Sequence, residues 1–185
     1  IIFILFIFNL SLFSQTIVYK ADISKEIDLG LAPYIKRVIK EAEQNKANYI
    51  IFNINTFGGR VDAATQIKDA ILDSKVKTVA FINKRAISAG ALIALSCDKI
   101  IMVNGASIGA STVVNETGQK VSEKYQSYMR AEMRSTAEKT GRRTDIAQAM
   151  VDERIIISDL ADDSTTLVTL TSEEAIKVGF ADTIL

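Results

Sequence analysis

The sequence predicts an α/β domain with a largely parallel sheet. Apolar runs of β type alternate with segments in which apolar residues recur at helical spacing, which is the pattern of repeated strand–helix units. Two of the apolar runs end in glycine-containing breaks, Gly58-Gly59 and Ser88-Ala89-Gly90, that lead directly into helix-like stretches. The 185 residues, 48% of them hydrophobic, are enough for one domain with a sizeable core.

The first strand–helix units lie before the second break. TIVYKADI (16–23) alternates as a strand does, and residues 28–45 predict a helix with Pro33 in its first turns, where proline is tolerated. NYIIFNIN (48–55) predicts a strand that ends at the first glycine pair, and residues 60–74 predict a helix.

The middle of the chain continues the alternation. KTVAFI (77–82) predicts a strand, and we expect a short loop between it and Ser88. Residues 89–96 predict a short, almost wholly apolar helix, which implies burial on all sides. DKIIMV (98–103) predicts a third buried strand, and the glycine-punctuated residues 104–122 predict a loop.

The last part of the chain is mainly helical. Residues 123–139 predict a long helix that stops at Gly141, and Thr144 is expected to cap a short helix to Met150. Residues 157–170 predict a hairpin or a mobile flap. The run Ser172-Glu173-Glu174 predicts the cap of a final helix that ends near Gly179.

Residues 1–15 differ from the rest. The uncharged, apolar run IIFILFIFNLSLFS is short for a membrane span and suits the apolar part of a signal peptide, with Ser14 before a cleavage point. We therefore expect residues 1–15 to be a signal peptide or the remnant of a membrane anchor, in preference to a buried strand or helix, and 16–185 to be one domain. Because the chain starts at Ile1, we expect the natural start to lie upstream.

The composition argues against several kinds of function and site. Lys+Arg and Asp+Glu both number 22, so the basic excess of a nucleic-acid-binding surface is absent. The sequence contains no histidine and one cysteine, Cys97, so neither an intrachain disulfide nor a zinc site with nitrogen and sulfur ligands is expected. No metal and no cofactor are predicted. The spacing of Cys97 indicates a core thiol.

Ser88 is the candidate nucleophile. It stands where a loop becomes a helix, and the unpaired N–H groups of a helix start stabilise an oxygen that becomes anionic. The Ala89 N–H supplies one such donor, and the Gly58-Gly59 loop can supply a second because glycine permits close approach. From spacing alone, the simpler interpretation is an N-cap serine and two turn glycines. Weaker candidates are Ser96, Ser107 and Ser111.

A nucleophilic serine needs a base, and without histidine a buried lysine in its neutral form is the leading candidate. The lysines that follow Ser88 in suitable places are Lys99, Lys120, Lys124 and Lys139. Lys124 opens the long helix directly after the loop, where it can point back to Ser88. Composition and spacing do not choose among them.

Three segments together resemble a known family: INTFGGRVDAA, RAISAGALIALSCDKIIMVNGASIGAS and LTSEEAIKVGFAD. They are similar to the ClpP-like protease domain of NfeD proteins, the membrane-bound ClpP-class serine proteases related to signal peptide peptidase SppA. The resemblance covers residues 16–185. It implies the ClpP/crotonase-like spiral of repeated β-β-α units.

The resemblance also implies residue roles. The catalytic serine of the family matches Ser88. The family's lysine precedes a basic position in a pattern that ends in Gly-Arg. In this sequence that basic position is Arg134, so the resemblance implies that the lysine is Lys124. The oxyanion donors it implies are the backbone of Gly59, or Gly58, and of Ala89.

Three further residues are expected to bind substrate: Phe57, Ser107 and Gly109. Phe57 departs from the family, which has proline before the glycine pair. It either narrows a substrate subsite or simply packs, and we favour packing.

The function implied is a serine endopeptidase with a Ser-Lys dyad that cleaves hydrophobic segments of membrane-associated proteins, stomatin-like partners among them. The resemblance further implies a homo-oligomer, a dimer or larger, and a membrane-associated or exported domain on the extracytoplasmic side. Two alternatives stay open. One is a crotonase-like acyl-CoA enzyme that uses a backbone oxyanion hole, and the other is a non-catalytic scaffold that binds stomatin-like partners.

Overall fold

The computed structural model describes residues 15–160 and 166–185. Its strands are β1 (Val18–Ile23), β2 (Tyr49–Thr56), β3 (Lys77–Ile87), β4 (Lys99–Met102), β5 (Ser107–Gly109), β6 (Thr169–Thr171) and β7 (Thr183–Ile184). Its helices are α1 (Leu31–Gln44), α2 (Val61–Leu72), α3 (Ala89–Leu95), α4 (Glu123–Thr140), α5 (Thr144–Ala149) and α6 (Ser172–Lys177). The predicted alternation of strands and helices is confirmed.

The sheet is largely parallel, as predicted. Strands β1, β2, β3, β4 and β7 lie side by side in that order and run in one direction. Strand β3 changes partner along its length, pairing first with β4 and then, through residues 85–87, with β5. Strand β6 adds to β5 in the antiparallel direction. The carboxyl ends of β2 and β3 therefore carry the two glycine-containing breaks.

The short loop predicted before Ser88 is wrong, because β3 continues to Ile87. A register shift between Ile54 and Thr56 of β2 lets the two strands stay paired beyond Ile82. The short strand β5, within the predicted loop 104–122, then supplies a new partner.

Two predicted helix caps also differ. Thr144 is the first residue of α5 rather than its cap, and no side chain caps that helix. Helix α6 is capped by Thr171, one residue before the predicted run. Thr171 Oγ1 accepts a hydrogen bond from the Glu174 N–H, and the Glu174 carboxylate accepts one from the Thr171 N–H. This capping box places the start of the helix.

Helix α3 lies in the centre of the core. Each of its residues is buried, as the apolar sequence predicted, and it contacts α2, α4 and the sheet. Cys97 follows it and is fully buried, and burial raises the pKa of its thiol to about 12. A thiol that stays protonated in the core is chemically inert, so the prediction of a core cysteine is confirmed.

Two predictions fall wholly or partly on residues outside the description. The leader at residues 1–15 lies there except for Gln15, and so do residues 161–165 of the predicted hairpin or flap. At the described end of that segment, β6 (Thr169–Thr171) begins and pairs in the antiparallel direction with β5. In the described part of the chain, none of the helices has the length and apolar character needed to cross a bilayer.

Candidate active site

Ser88 forms a sharp junction between β3 and α3. Its backbone lies at φ 57° and ψ −122°, a conformation that costs a non-glycine residue about 1–3 kcal/mol. Hydrogen bonds hold it there: its N–H donates to the Gly109 carbonyl at 3.0 Å, and its carbonyl accepts from the Ala91 N–H at 2.9 Å and from Ser111 Oγ at 3.2 Å. The Ser88 side chain makes no capping bond to the helix. An N-cap role therefore does not explain this serine.

The two glycine breaks meet in space. A Cβ atom on Gly58 would lie 2.6 Å from Ser88 Cβ and 3.1 Å from Ser88 Oγ. Gly58 has a φ of 113°, which favours glycine, so both space and backbone conformation require it there. The Gly58-Gly59 loop thus lies directly against the Ser88 side chain.

The hydrogen bonds of this loop decide which of its N–H groups is available. The Gly58 N–H donates to Thr56 Oγ1 at 3.0 Å. The Gly58 carbonyl accepts from the Ile27 N–H at 2.9 Å, and the Arg60 N–H donates to the Ile27 carbonyl at 2.7 Å. Among the described residues, nothing accepts from the N–H of Gly59 or of Ala89. Of the donors expected from the sequence, Gly59 and Ala89 are therefore free, whereas Gly58 is engaged by Thr56.

Gly109 and Ser107 lie on β5, beside the Ser88 junction. Gly109 holds the Ser88 N–H through its carbonyl, and a Cβ atom on it would lie 2.4 Å from the Val168 carbonyl oxygen. Ser107 is half-buried in the sheet opposite Arg85 and Thr171. The contacts of Gly109 are those of a residue that supports the serine, and substrate binding by either residue stays a prediction.

Lys124 lies in the first turn of α4 and is exposed, whereas a buried lysine was expected. It lines a cavity of about 840 Å³ whose other walls come from α2, α4 and the segments at Val113 and Val121. The remaining lining residues are Arg60, Val61, Asp62, Thr65, Tyr125 and Tyr128. The wall is mainly apolar, so a peptide placed in the cavity would remove water from the amine.

Pairing distinguishes Lys124 from two of the other candidate lysines. Lys99 pairs with Asp182 at 2.6 Å, and Lys120 pairs with Glu153 at 2.9 Å. Lys124 forms no ion pair or hydrogen bond with any described residue. Its amine therefore has no competing partner among the described residues.

Gln126 connects the lysine helix to the serine junction, and the sequence analysis missed it. It is only 1% exposed; its amide oxygen accepts from the Val113 N–H at 3.1 Å, and its amide nitrogen donates to the Val113 carbonyl at 2.7 Å and the Val121 carbonyl at 3.2 Å. Val113 lies two residues after Ser111, whose hydroxyl donates to the Ser88 carbonyl. The available signal was a glutamine on the same helix face as Met129 and Met133, where an apolar residue is expected.

A charged network fixes the start of α4. Arg130 pairs with Glu123 and with Asp152, and Arg154 pairs with Asp152 at 2.7 Å. The hydrogen bonds from Arg154 hold the pKa of the Asp152 carboxyl well below its usual range, and the charge of Arg130 acts in the same direction. The network joins the first turns of α4, which carry Lys124, to the turn after α5.

Phe57 does not pack into the core. It is 74% exposed, and the guanidinium of Arg85 lies 4.4 Å from the centre of its ring. The favoured interpretation that this residue simply packs is therefore wrong. The residue in place of the family's proline forms a cation–π pair at the surface beside the Gly58-Gly59 loop.

Comparison with known proteins identifies the family. The model of the NfeD1b N-terminal domain matches residues 17–185. The chain belongs to the NfeD1b N-terminal domain family. Membrane protein NfeD1b of Bacillus subtilis (strain 168) is 38% identical over 165 residues, which are 89% of this chain and 38% of that protein. Membrane-bound protease PH1510 of Pyrococcus horikoshii is 34% identical over 179 residues, 92% of this chain and 38% of that protein. The chain thus spans about two fifths of the length of these relatives.

Solved structures agree with the family. A variant of the 1510-N membrane-bound stomatin-specific protease with a serine changed to alanine is 30% identical, with a TM-score of 0.79 over 93% of this chain and 81% of that one. A second variant of that protease, with a lysine changed to alanine and a substrate peptide bound, is 30% identical to this chain. Its TM-score is 0.80, and the match covers 93% of this chain and 76% of that one. ClpP1 from Listeria monocytogenes is 22% identical, and the match covers 90% of both chains with a TM-score of 0.61. This likeness confirms the ClpP-like fold of the NfeD1b domain.

Proposed function

We propose that this NfeD1b domain is a serine endopeptidase with Ser88 as nucleophile and Lys124 as base. The observation that carries the proposal is the Ser88 junction, where a serine in a strained conformation lies against Gly58 and the N–H groups of Gly59 and Ala89 have no described partner. The similar 1510-N protease, solved with a serine and with a lysine replaced by alanine, supports it.

The proposed reaction proceeds through an acyl-enzyme. The neutral Lys124 amine takes the proton of Ser88 Oγ, and the oxygen attacks the peptide carbonyl carbon. The Gly59 and Ala89 N–H groups donate to the resulting oxyanion. The C–N bond then breaks, Lys124 returns the proton to the leaving amine, and water hydrolyses the ester.

Substrate would bind along the Gly58-Gly59 loop. In the parallel bridge with Ile27, the Gly58 carbonyl and the Arg60 N–H face Ile27, so the N–H and carbonyl of Gly59 between them face the opposite way. A peptide strand can pair with that free edge. The apolar cavity beside it would receive a hydrophobic side chain and bring substrate over Lys124, which excludes water from the amine.

The wider biological setting is also a proposal. From the membrane proteins it resembles, we propose hydrophobic segments of stomatin-like, membrane-associated proteins as substrates and an extracytoplasmic location. Residues 1–15 would then serve as the signal peptide or anchor remnant. The same N–H pair could polarise an acyl-CoA thioester, but such an enzyme would need neither Ser88 nor Lys124, and a scaffold would need no turnover.

The test is cleavage of apolar peptides by the purified chain, followed by mass spectrometry. We expect Ser88→Ala and Lys124→Ala each to reduce kcat by at least about 1,000-fold, in line with loss of a nucleophile or its base. Ser135→Ala and Lys139→Ala, on the exposed side of the same helix α4, are the controls and should cleave normally. Full activity in either dyad variant would refute the proposal.

A further inference from the structure

A second cleft borders the Gly58-Gly59 loop. It has a volume of about 510 Å³ and is lined by residues 24–26, residues 55–59 and Arg85. These segments follow or end β1, β2 and β3, so the cleft opens at the carboxyl ends of parallel strands.

The charges in this cleft are unbalanced. Lys25 and Arg85 are its two cations, and Glu26 is its single carboxylate. None of the three forms an ion pair with a described residue. Cations that outnumber carboxylates in a concave surface give a field that favours an anionic ligand.

The guanidinium of Arg85 is held in place. It stacks over the Phe57 ring at 4.4 Å, and the backbone of Arg85 is paired with β5. A stacked guanidinium keeps its planar edge free for two parallel hydrogen bonds, the geometry that matches a carboxylate.

The wall of the cleft is bonded to the loop that carries the proposed oxyanion donor. Thr56 is buried, and its hydroxyl donates to the Lys25 carbonyl at 2.7 Å while accepting from the Gly58 N–H. Ile27 adds two backbone bonds to the same loop. The wall of the cleft and the loop that carries the proposed oxyanion donor are therefore bonded into one unit.

We propose that this cleft is a subsite for an acidic side chain of the substrate peptide. The inference rests on the proposed peptidase function. It assigns to the substrate an Asp or Glu in this cleft and an apolar residue in the cavity that Lys124 lines.

The test is a set of peptides with one apolar cleavage sequence in which Glu, Gln or Lys is placed in turn at each position flanking the cleaved bond. We expect Glu to exceed Gln in kcat/KM by about tenfold at one position, the lower end for a hydrogen bond to a charged group. Lys at that position should be the poorest. Equal rates for Glu and Gln at every position would overturn the subsite while leaving the peptidase intact.

Substitutions of a cation and of the carboxylate in the cleft should have opposite effects on the preference for Glu. Arg85→Gln should remove most of the preference for the Glu peptide over the Gln peptide in kcat/KM, whereas Glu26→Gln should increase that preference. Lys84→Gln, an exposed neighbour that does not line the cleft, is the matched control. An equal loss on both peptides in Arg85→Gln would contradict the proposal.

A binding measurement distinguishes the subsite proposal from the peptidase proposal. Fluorescence anisotropy of the labelled Glu and Gln peptides on Ser88→Ala reports the subsite without turnover. A preference for Glu in binding, with no cleavage by the unaltered chain, would support the subsite and refute the peptidase. Equal binding would refute the subsite.

Discussion

At the scale of single residues, backbone conformation and close approach define the site. Ser88 adopts a positive φ, and Gly58 has no room for a side chain because Ser88 occupies that space. Gly59 is equally restricted, since a Cβ atom on it would lie 2.3 Å from the Ile27 carbonyl oxygen. The atoms in the way are backbone atoms, which cannot move without breaking the bridge to Ile27.

Gly59→Ala should therefore destabilise the fold by about 2 kcal/mol or more, measured by urea unfolding, because it adds a backbone clash to an unfavourable φ. Gly118→Ala is the control. Gly118 also has a positive φ, 79°, but nothing lies within 4 Å of its added Cβ. It should cost about 1 kcal/mol. Equal losses in the two variants would contradict the clash.

At the scale of elements, helix α4 is attached to the serine junction through Gln126 and the segment at Val113. Gln126→Met would leave the Val113 N–H and carbonyl without their partner. We expect a loss of about 2 kcal/mol in the free energy of unfolding. We also expect a fall in kcat with little change in KM, because the turn of α4 that carries Lys124 loses its bonds to Val113 and Val121.

The control for Gln126→Met is Gln119→Met, at an exposed position in the preceding loop. It should leave both the unfolding free energy and kcat unchanged. If Gln126→Met were destabilising but kept full kcat, Gln126 would support the fold without positioning Lys124.

The Asp152 network makes stability depend on pH. The pKa of Asp152 is lower in the folded chain than in the unfolded chain, so its ionised form stabilises the fold. This stabilisation is fully present above the unfolded pKa of about 3.9 and is lost as the pH falls toward the folded pKa. Asp152→Asn should destabilise the chain at pH 7 and flatten the decline in urea midpoint below about pH 4. Asp73→Asn, at an exposed carboxyl, is the control. An unchanged acid decline in Asp152→Asn would contradict this role.

The elements show what sequence patterns predict and what they miss. Helix α3 and strands β1, β2 and β4 were predictable because their apolar residues are continuous or periodic. Strands β5, β6 and β7 are two or three residues long and carry no period, and the extension of β3 depends on a register shift in its neighbour. Ser88 could be selected as a helix start. Its contact with Gly58, and the use of the Gly58 N–H by Thr56, depend on how β2 and β3 end together.

At the scale of the whole molecule, an exposed apolar surface surrounds the mouth of the cavity that Lys124 lines. Tyr125, Tyr128 and Val114 are 56%, 45% and 51% exposed. Such surfaces mark sites of protein interaction. We expect a homo-oligomer in solution, so sedimentation velocity should give at least twice the chain mass of 20.3 kDa. A mass of one chain at all concentrations would contradict this prediction.

The central claim is that Lys124 activates Ser88, and reaction with a fluorophosphonate tests it most directly. Attack by Ser88 Oγ on phosphorus expels fluoride and leaves a stable adduct, which peptide mass spectrometry can locate. We predict one adduct, on Ser88, that forms far more slowly in Lys124→Ala than in the unaltered chain. An adduct on another serine, no adduct, or an unchanged rate in Lys124→Ala would contradict the account.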